Sequence, residues 1–378
     1  MEKQYLFAPG PTPVPPEVLA ATAEPMVHHR AGDFRVIYER SLKRLQDVFC
    51  TTSDVLLFSA SGTGAMDSAV TNLTAAGDKI AVVTAGAFGE RWLAICKHYG
   101  LDIERIEYAW GEVPVPEEIG AAARAAGAGI VLCTQSETST GVVSDVQAIK
   151  QAAGDAIVVV DAISSLGAVP LETDAWGIDV VVSGSQKALM CPPGLAMASV
   201  AEHLWDTLPA SRSFYFDWRA TRKAQSAFDA AFTPAVSLIR GLDVALGMIL
   251  DEGLDAMFER HVRLGRATRA GLKAMGLELF SPDDDTSAVV TAALVPEGID
   301  GTELLTHLSE RHGVTLAPGQ KDLKGKIFRI GHIGWFDIFD IGTALSAVEL
   351  SLVELGADIE RGVAVTAAFA AYEQPVAV

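Results

Sequence analysis

The sequence predicts an α/β protein with a mostly parallel central sheet and flanking helices, followed by a smaller α+β C-terminal domain. Three observations carry this prediction. Short β-rich runs alternate with helical stretches from Val55 onward, the pattern of strands joined by crossover helices. One run, Ile157-Val158-Val159-Val160, is continuously apolar, as a strand buried on both faces must be. After Gly276 the regular alternation gives way to a mixed order of strands and helices.

The elements follow in order. The stretch Ala8 to Pro16 is proline-rich and cannot be helical over most of its length, because each proline lacks an N–H and biases its predecessor to extended forms. It reads as an ordered strap or one draped on a partner, within an arm of residues 1–20. Strands are expected at Val55 to Ser59, Lys79 to Thr84, Asp102 to Glu107, Gly129 to Thr134, Ala156 to Asp161, Val180 to Ser183 and Leu195 to Val200. Helices are expected between several of them, at Ala65 to Thr74, Glu90 to Tyr99 and Ile119 to Ala128. In such a sheet a ligand binds beyond the carboxyl ends of the strands.

Pro234 to Glu252 and Leu254 to Met275 then read as two long helices broken at Gly253. On the second, Arg260, Arg263, Arg266, Arg269 and Lys273 read as one solvated basic face. Strands at Ala288 to Val295 and Lys326 to Ile330, with helices at Gly301 to His312 and Asp340 to Leu355, complete the chain. This assigns 21–253 to a large domain and 254–378 to a small one.

Composition bounds the partners. A chain of 378 residues, 49% hydrophobic and 20% charged, has ample material for a buried core, which excludes disorder. The net charge of −19 argues against nucleic acid and anionic membrane surfaces as partners. No basic start precedes an apolar leader and no stretch of about 18 residues is apolar throughout, so a soluble, cytosolic protein is expected. Cys50, Cys96, Cys133 and Cys191 are widely spaced, without a Cys-x-x-Cys pair. They suggest neither a disulfide framework nor a metal site, and Cys96 and Cys133 read as core residues.

Three positions carry chemistry. Ser59-Ala60-Ser61-Gly62-Thr63-Gly64-Ala65-Met66 joins a strand to a helix. It is either a tight connection or a cradle whose N–H groups face an anion. Asp161 ends an apolar strand. It is either a cap or a partner for a cationic ring nitrogen or a metal. Lys187 follows another apolar strand in Val182-Ser183-Gly184-Ser185-Gln186-Lys187. It is either a surface lysine or an amine desolvated into a nucleophile. An amine, an acid and a small-residue turn at one sheet edge together ask for pyridoxal phosphate, with the lysine as its Schiff-base partner, the acid on its ring nitrogen and the turn on its phosphate.

The strings PGPTPVPPEV, SGTGAM, SETSTGVV, VVVDAISSLG, SGSQKAL with its following PPG, TPAVSLIRGLDVAL and FRIGHIG resemble, in order and spacing, the class V aminotransferases of pyridoxal phosphate fold type I. The likeness runs from about Phe7 to Leu350 and is greatest to the alanine-glyoxylate, serine-glyoxylate and serine-pyruvate group. It implies that Lys187 binds the cofactor and moves the proton, and that Asp161 keeps the ring nitrogen protonated. It implies phosphate contacts from Ser61, Gly62, Thr63 and Gln186, and from Thr233 into the neighbouring subunit's site. Thr138 matches the hydroxyl on the cofactor's phenolic oxygen, Phe88 the ring-stacking aromatic, Arg329 the substrate-carboxylate fork and Gly10 a backbone that closes over substrate.

Two departures weaken the match: Phe88 stands where the family often has Trp, and Ala230 where a Tyr would reach the phosphate. The adjacent His28 and His29 read as structural residues pointing apart. The resemblance implies a homodimeric transaminase, with shared active sites, that moves an amino group from alanine or serine to glyoxylate or pyruvate by a ping-pong mechanism. Other class V activities form one alternative: an aspartate, ureidoglycine or aminoethylphosphonate transaminase, or a lyase or desulfurase. Gln186 in place of a His before the lysine, and the lack of a Cys in a polar C-terminal loop, count against the last two. A non-catalytic subunit of a redox complex is a third reading, and it would require lost cofactor residues or a cysteine cluster.

Overall fold

The computed structural model describes residues 3–376, so the outermost ends of the expected arm and small domain lie outside the described residues. Seven strands form the main sheet: β1 (Asp54–Phe58), β2 (Lys79–Thr84), β3 (Asp102–Glu107), β4 (Ile130–Thr134), β5 (Ile157–Asp161), β6 (Val180–Gly184) and β7 (Ala196–Val200). Their order is β1-β7-β6-β5-β4-β2-β3, and only β7 runs against its neighbours. The other six therefore end at the same edge. Every expected strand is present: six are apolar runs buried in the sheet, and β3, Asp-Ile-Glu-Arg-Ile-Glu, is its largely exposed edge strand. Val158, Val159 and Val160 are fully buried, each contributing about 1.5–3 kcal/mol of apolar burial as an upper bound.

Helices α1 (Gly62–Leu73) and α2 (Ala87–His98) start directly beyond β1 and β2. They direct their N-termini toward the same sheet edge. Two long helices, α3 (Val236–Glu252) and α4 (Leu254–Ala274), are broken at Gly253, whose φ of 85° suits glycine. Helices at Gly32–Val48, Trp218–Gln225 and Val363–Tyr372 are additions to the elements read from the sequence. The first lies along α3, where Arg40 and Arg44 both pair with the buried Asp243.

The basic face expected on α4 is corrected. Arg269 is buried and reaches Asp283, Asp285 and the Ser287 carbonyl, Arg266 pairs with Asp285, and Arg260 donates to the carbonyls of Gly334 and Phe336. Each three-residue step falls about 60° short of a full turn, so residues spaced this way sweep around a helix. These arginines staple an acidic loop and a neighbouring turn.

Beyond α4, strands β8 (Val290–Leu294), β9 (Ala317–Pro318) and β10 (Ile327–Gly331) form an antiparallel sheet in the order β8-β10-β9. Helix α5 (Gly301–His312) is capped by the Asp300 carboxylate on two backbone N–H groups at 2.8 Å, and α6 (Ile338–Glu354) by a reciprocal Asp337–Asp340 capping box. These elements share their own apolar cluster, which Phe7 of the N-terminal arm also enters. The arm is held by its own chain: Tyr5–Leu6 pair in parallel with Val314–Thr315, and Gly331 N donates to the Phe7 carbonyl at 2.7 Å. No helix among the described residues is long and apolar enough to cross a membrane.

Candidate active site

The shared carboxyl edge gathers most of the residues singled out in the sequence. Lys187 lies three residues beyond β6, with its side chain buried and its Nζ donating to the Pro9 carbonyl at 2.6 Å. Burial lowers its pKa from 10.5 to about 8; Asp161 opposes this while Arg329 and Arg91 add to it. No carboxylate lies within salt-bridge distance of it among the described residues. The strap is pinned beside it, since Thr12 N donates to the Gln186 carbonyl at 3.1 Å and Thr12 Oγ1 to the Lys187 carbonyl at 3.0 Å. Gly10 has a φ of 137°, and a Cβ there would collide with Lys187 Nζ. Only glycine lets the strap lie on the amine.

Asp161 ends β5, is 3% exposed and accepts a single backbone hydrogen bond, from Ile163 N at 2.9 Å. Burial, joined by the nearby Glu137, pushes its pKa up to about 7; the Ile163 N–H, Arg91 and Lys187 pull it down. A cationic group on its free lone pairs would restore the carboxylate.

The turn after β1 has the form of an anion cradle. Ser61 caps α1 in an extended conformation without bonding its hydroxyl to the helix, and sits exposed at the mouth. Gly62 is buried, and a Cβ there would press on Ile163 at 2.6 Å. Thr63 Oγ1 accepts from Arg91 Nη1 at 3.1 Å. Gln186 is half-buried, and its Oε1 is buried without a partner. Phe88, half-buried in the first turn of α2, carries the Arg91 guanidinium over its ring at 4.7 Å.

Arg329, in β10, is 4% exposed. Three of its five N–H donors are taken: Nε and Nη2 by the Pro318 carbonyl at 3.0 and 2.8 Å, and Nη1 by the Thr138 carbonyl at 2.5 Å. Burial lowers its pKa to about 10, with Glu137 acting in the other direction. The guanidinium is thereby fixed by backbone carbonyls, leaving two N–H groups for an incoming carboxylate. Thr138 itself is buried.

Two residues of this edge were missed. Glu137 lies within the string SETSTGVV, buried, and accepts from Phe88 N at 2.9 Å, Gly89 N and Ser139 N at 3.1 Å, and the Ser139 hydroxyl. It fixes the start of the helix that carries Phe88 and stands between Asp161 and Arg329 electrostatically. Burial raises its pKa while these four donors pull it back. Arg91 is the other, and its place one turn after Phe88 was the available signal.

Three residues stand apart. Thr233 is exposed on a surface segment that packs near Ser59 and is not among the contacts of Lys187. His28 and His29 do not point apart, as expected, but stack at 4.7 Å with planes 27° apart. The backbone between them is irregular, and His28 Nδ1 accepts from Arg30 N at 3.2 Å, which turns its ring toward its neighbour.

A group with an anionic tail, an electron-poor ring nitrogen and an aldehyde fits this donor set. The Gly62 turn and Gln186 would take the tail, Asp161 the nitrogen, Phe88 the ring face and Lys187 the aldehyde.

The sequence comparisons agree with this geometry. The family model "Aminotransferase class-V" matches residues 4–326. A protein named soluble hydrogenase, small subunit, from Synechococcus sp. (strain PCC 6716) is 43% identical, over 94% of each chain. An L-aspartate–glyoxylate aminotransferase of Paracoccus denitrificans is 36% identical over 98% of this chain and 97% of its own, and a serine–glyoxylate aminotransferase of Methylorubrum extorquens 34% over 97% and 95%. The solved structure of ureidoglycine-glyoxylate aminotransferase from Bacillus subtilis superimposes with a TM-score of 0.93 at 29% identity, over 99% of both chains.

Proposed function

Because the chain belongs to the class V aminotransferases, enzymes that use pyridoxal phosphate, we propose that it moves an amino group from a small amino acid, alanine or serine, to glyoxylate or pyruvate. The observation that carries this reading is the buried guanidinium of Arg329, with two free N–H donors, facing the sheet edge that carries the desolvated amine of Lys187. One fork accepts one carboxylate, which suits a monocarboxylic substrate.

The bound cofactor supplies an aldehyde that captures amino groups and a ring that withdraws electrons from the substrate Cα. The rest falls to the chain. Arg329 holds the substrate carboxylate and so fixes the direction of the Cα–H bond. Lys187 Nζ would take up and carry the proton released from the substrate Cα, a role suited to an amine whose pKa lies near 8. Asp161 would face the ring nitrogen and favour its protonated form. The strap from Pro9 to Thr12 excludes water from the amine. The same arginine serves amino donor and oxo acceptor in turn, as a ping-pong cycle requires.

Single half-reactions test the reading. Conversion of the cofactor to its amine form, followed by absorbance, should be fast with alanine or serine and slow with aspartate, glutamate and phosphonate amines. Fast conversion by aspartate alone would overturn the monocarboxylate assignment and favour the activity named for the Paracoccus relative.

The name of the Synechococcus relative raises a redox-complex subunit as a second reading. The four cysteines here are free, and among the described residues none joins a group of three metal-ligating side chains. Transamination by the purified chain alone would set that reading aside. A homodimer in the cytoplasm, with the exposed Thr233 reaching a partner's cradle, completes the proposal; sedimentation under dilution, with cofactor absorbance recorded, tests it.

A further inference from the structure

A second set of chemically capable side chains lies on the C-terminal elements and shares no residue with the edge around Lys187. His307 and His312, both on α5, face Glu354 at the end of α6. His307 Nε2 is 3.2 Å and His312 Nε2 3.6 Å from Glu354 Oε2, and the three ligand atoms all lie within 4.8 Å of one another. A tetrahedral zinc site with bonds of about 2.0–2.1 Å has ligand–ligand edges of about 3.3–3.4 Å. Two of the three edges are therefore already near the required length.

Three further observations point to a cation. The Ser351 hydroxyl lies 3.2 Å from His307 Nδ1, an outer partner that orients the ring and leaves Nε2 to face Glu354. His312 Nε2 is buried without a hydrogen-bond partner, Glu354 Oε2 at 3.6 Å lying beyond hydrogen-bond distance. Finally, His312 and Glu354 are the last residues of their helices, so two partially negative helix ends converge here. Among the described residues Glu354 has no Lys or Arg partner, and the chain's net charge of −19 favours approach of a cation.

We propose that His307, His312 and Glu354 bind one divalent transition metal of the zinc class, with water completing the coordination. Imidazole donors select zinc, cobalt or nickel over magnesium and calcium. The site is structural. It adjoins the anchor of the N-terminal strap, where Gly313, next to His312, accepts from Tyr5 N at 2.8 Å and Val314 pairs with Tyr5. A metal that ties α5 to α6 holds this anchor, and through it the strap on Lys187.

The test uses chelator-washed holoenzyme titrated with Zn2+ by calorimetry, and with Co2+ followed in the visible beyond the cofactor's absorption. One ion per chain is expected, with no response to Mg2+. His312→Ala and Glu354→Gln should each weaken binding tenfold or more, and His307→Ala/His312→Ala should abolish it. The melting temperature should rise by about 2–4 °C at a hundredfold excess over Kd in the parent and not in the double variant. The metal-free melting temperatures show whether each variant folds. Absence of saturable binding would overturn the proposal. Binding that persists unchanged in the folded double variant would overturn it equally.

Discussion

Asp161 and Asp179 are buried carboxylates at opposite ends of two adjacent strands, and they are treated in opposite ways. Asp179, 4% exposed and just before β6, accepts from Lys150 Nζ at 2.7 Å and from Val158 N at 2.8 Å, and its other oxygen lies 3.1 Å from His203 Nε2. Asp161, 3% exposed at the end of β5, accepts only from Ile163 N, and burial lifts it to about 7. Val158 belongs to the strand that Asp161 ends, so one strand joins a satisfied anion to an unsatisfied one. The cations repeat the contrast: buried Arg269 has two carboxylates, whereas buried Arg329 has only carbonyls and two unused donors. Burial alone therefore does not mark the site. What marks it is buried charge with bonding capacity left over.

The comparison breaks first at Lys187. In the proposed reaction its removal deletes the cofactor's covalent partner and the proton carrier together, while the fold loses one hydrogen bond, to Pro9. Lys187→Ala should lower transamination by about 10⁴-fold or more and abolish the borohydride-reducible absorbance band. An intact band would remove the central assignment.

The two aspartates should then separate stability from catalysis. Asp161→Ala is expected to lower kcat by about 10²–10³-fold while leaving the apoenzyme as stable as the parent or more so, because it removes an under-bonded buried carboxylate. Asp179→Ala should do the reverse. It strands Val158 N–H and Lys150, costing about 3 kcal/mol in urea unfolding, with kcat unchanged. Equal stability losses in the two variants would break the contrast.

Arg329→Ala sharpens the same point for the cations. KM should rise by about 10²-fold for amino donor and oxo acceptor alike, since in the proposed cycle one fork binds both. A rise for only one of them would mean that the two half-reactions use different carboxylate sites.

How much of this was legible depends on the range of the interactions. The strands were, because runs such as Val158 to Val160 carry their own signal, and Asp161 and Lys187 could be read as strand-end residues. The two-residue pairing of Tyr5–Leu6 with Val314–Thr315 could not, since only the tertiary fold brings those segments together. Helix Gly32–Val48 was missed because two of its arginines turn inward to one buried aspartate on α3, which obscures its apolar face. Glu137 was present in a recognised string, but its weight comes from three N–H groups, two of them on α2. The arginines of α4 misled because spacing by three resembles a stripe in sequence and is a spiral in space.

The smallest expected effect distinguishes the roles of these charges most directly, because it has a sign. Only the neutral amine of Lys187 can attack an aldehyde, so capture of pyridoxal phosphate by the apoenzyme should accelerate with rising pH and level off above about 8. Arg329 disfavours the ammonium form, and its removal should raise the Lys187 pKa and move the inflection to higher pH. Asp161 favours the ammonium form, so its removal should move the inflection to lower pH. Stopped-flow absorbance on apoenzymes of Arg329→Ala and Asp161→Ala measures both. Shifts in the same direction, or none, would mean that burial outweighs both charges in setting the amine's pKa, and the two unsatisfied charges would then lose their place as its opposing neighbours.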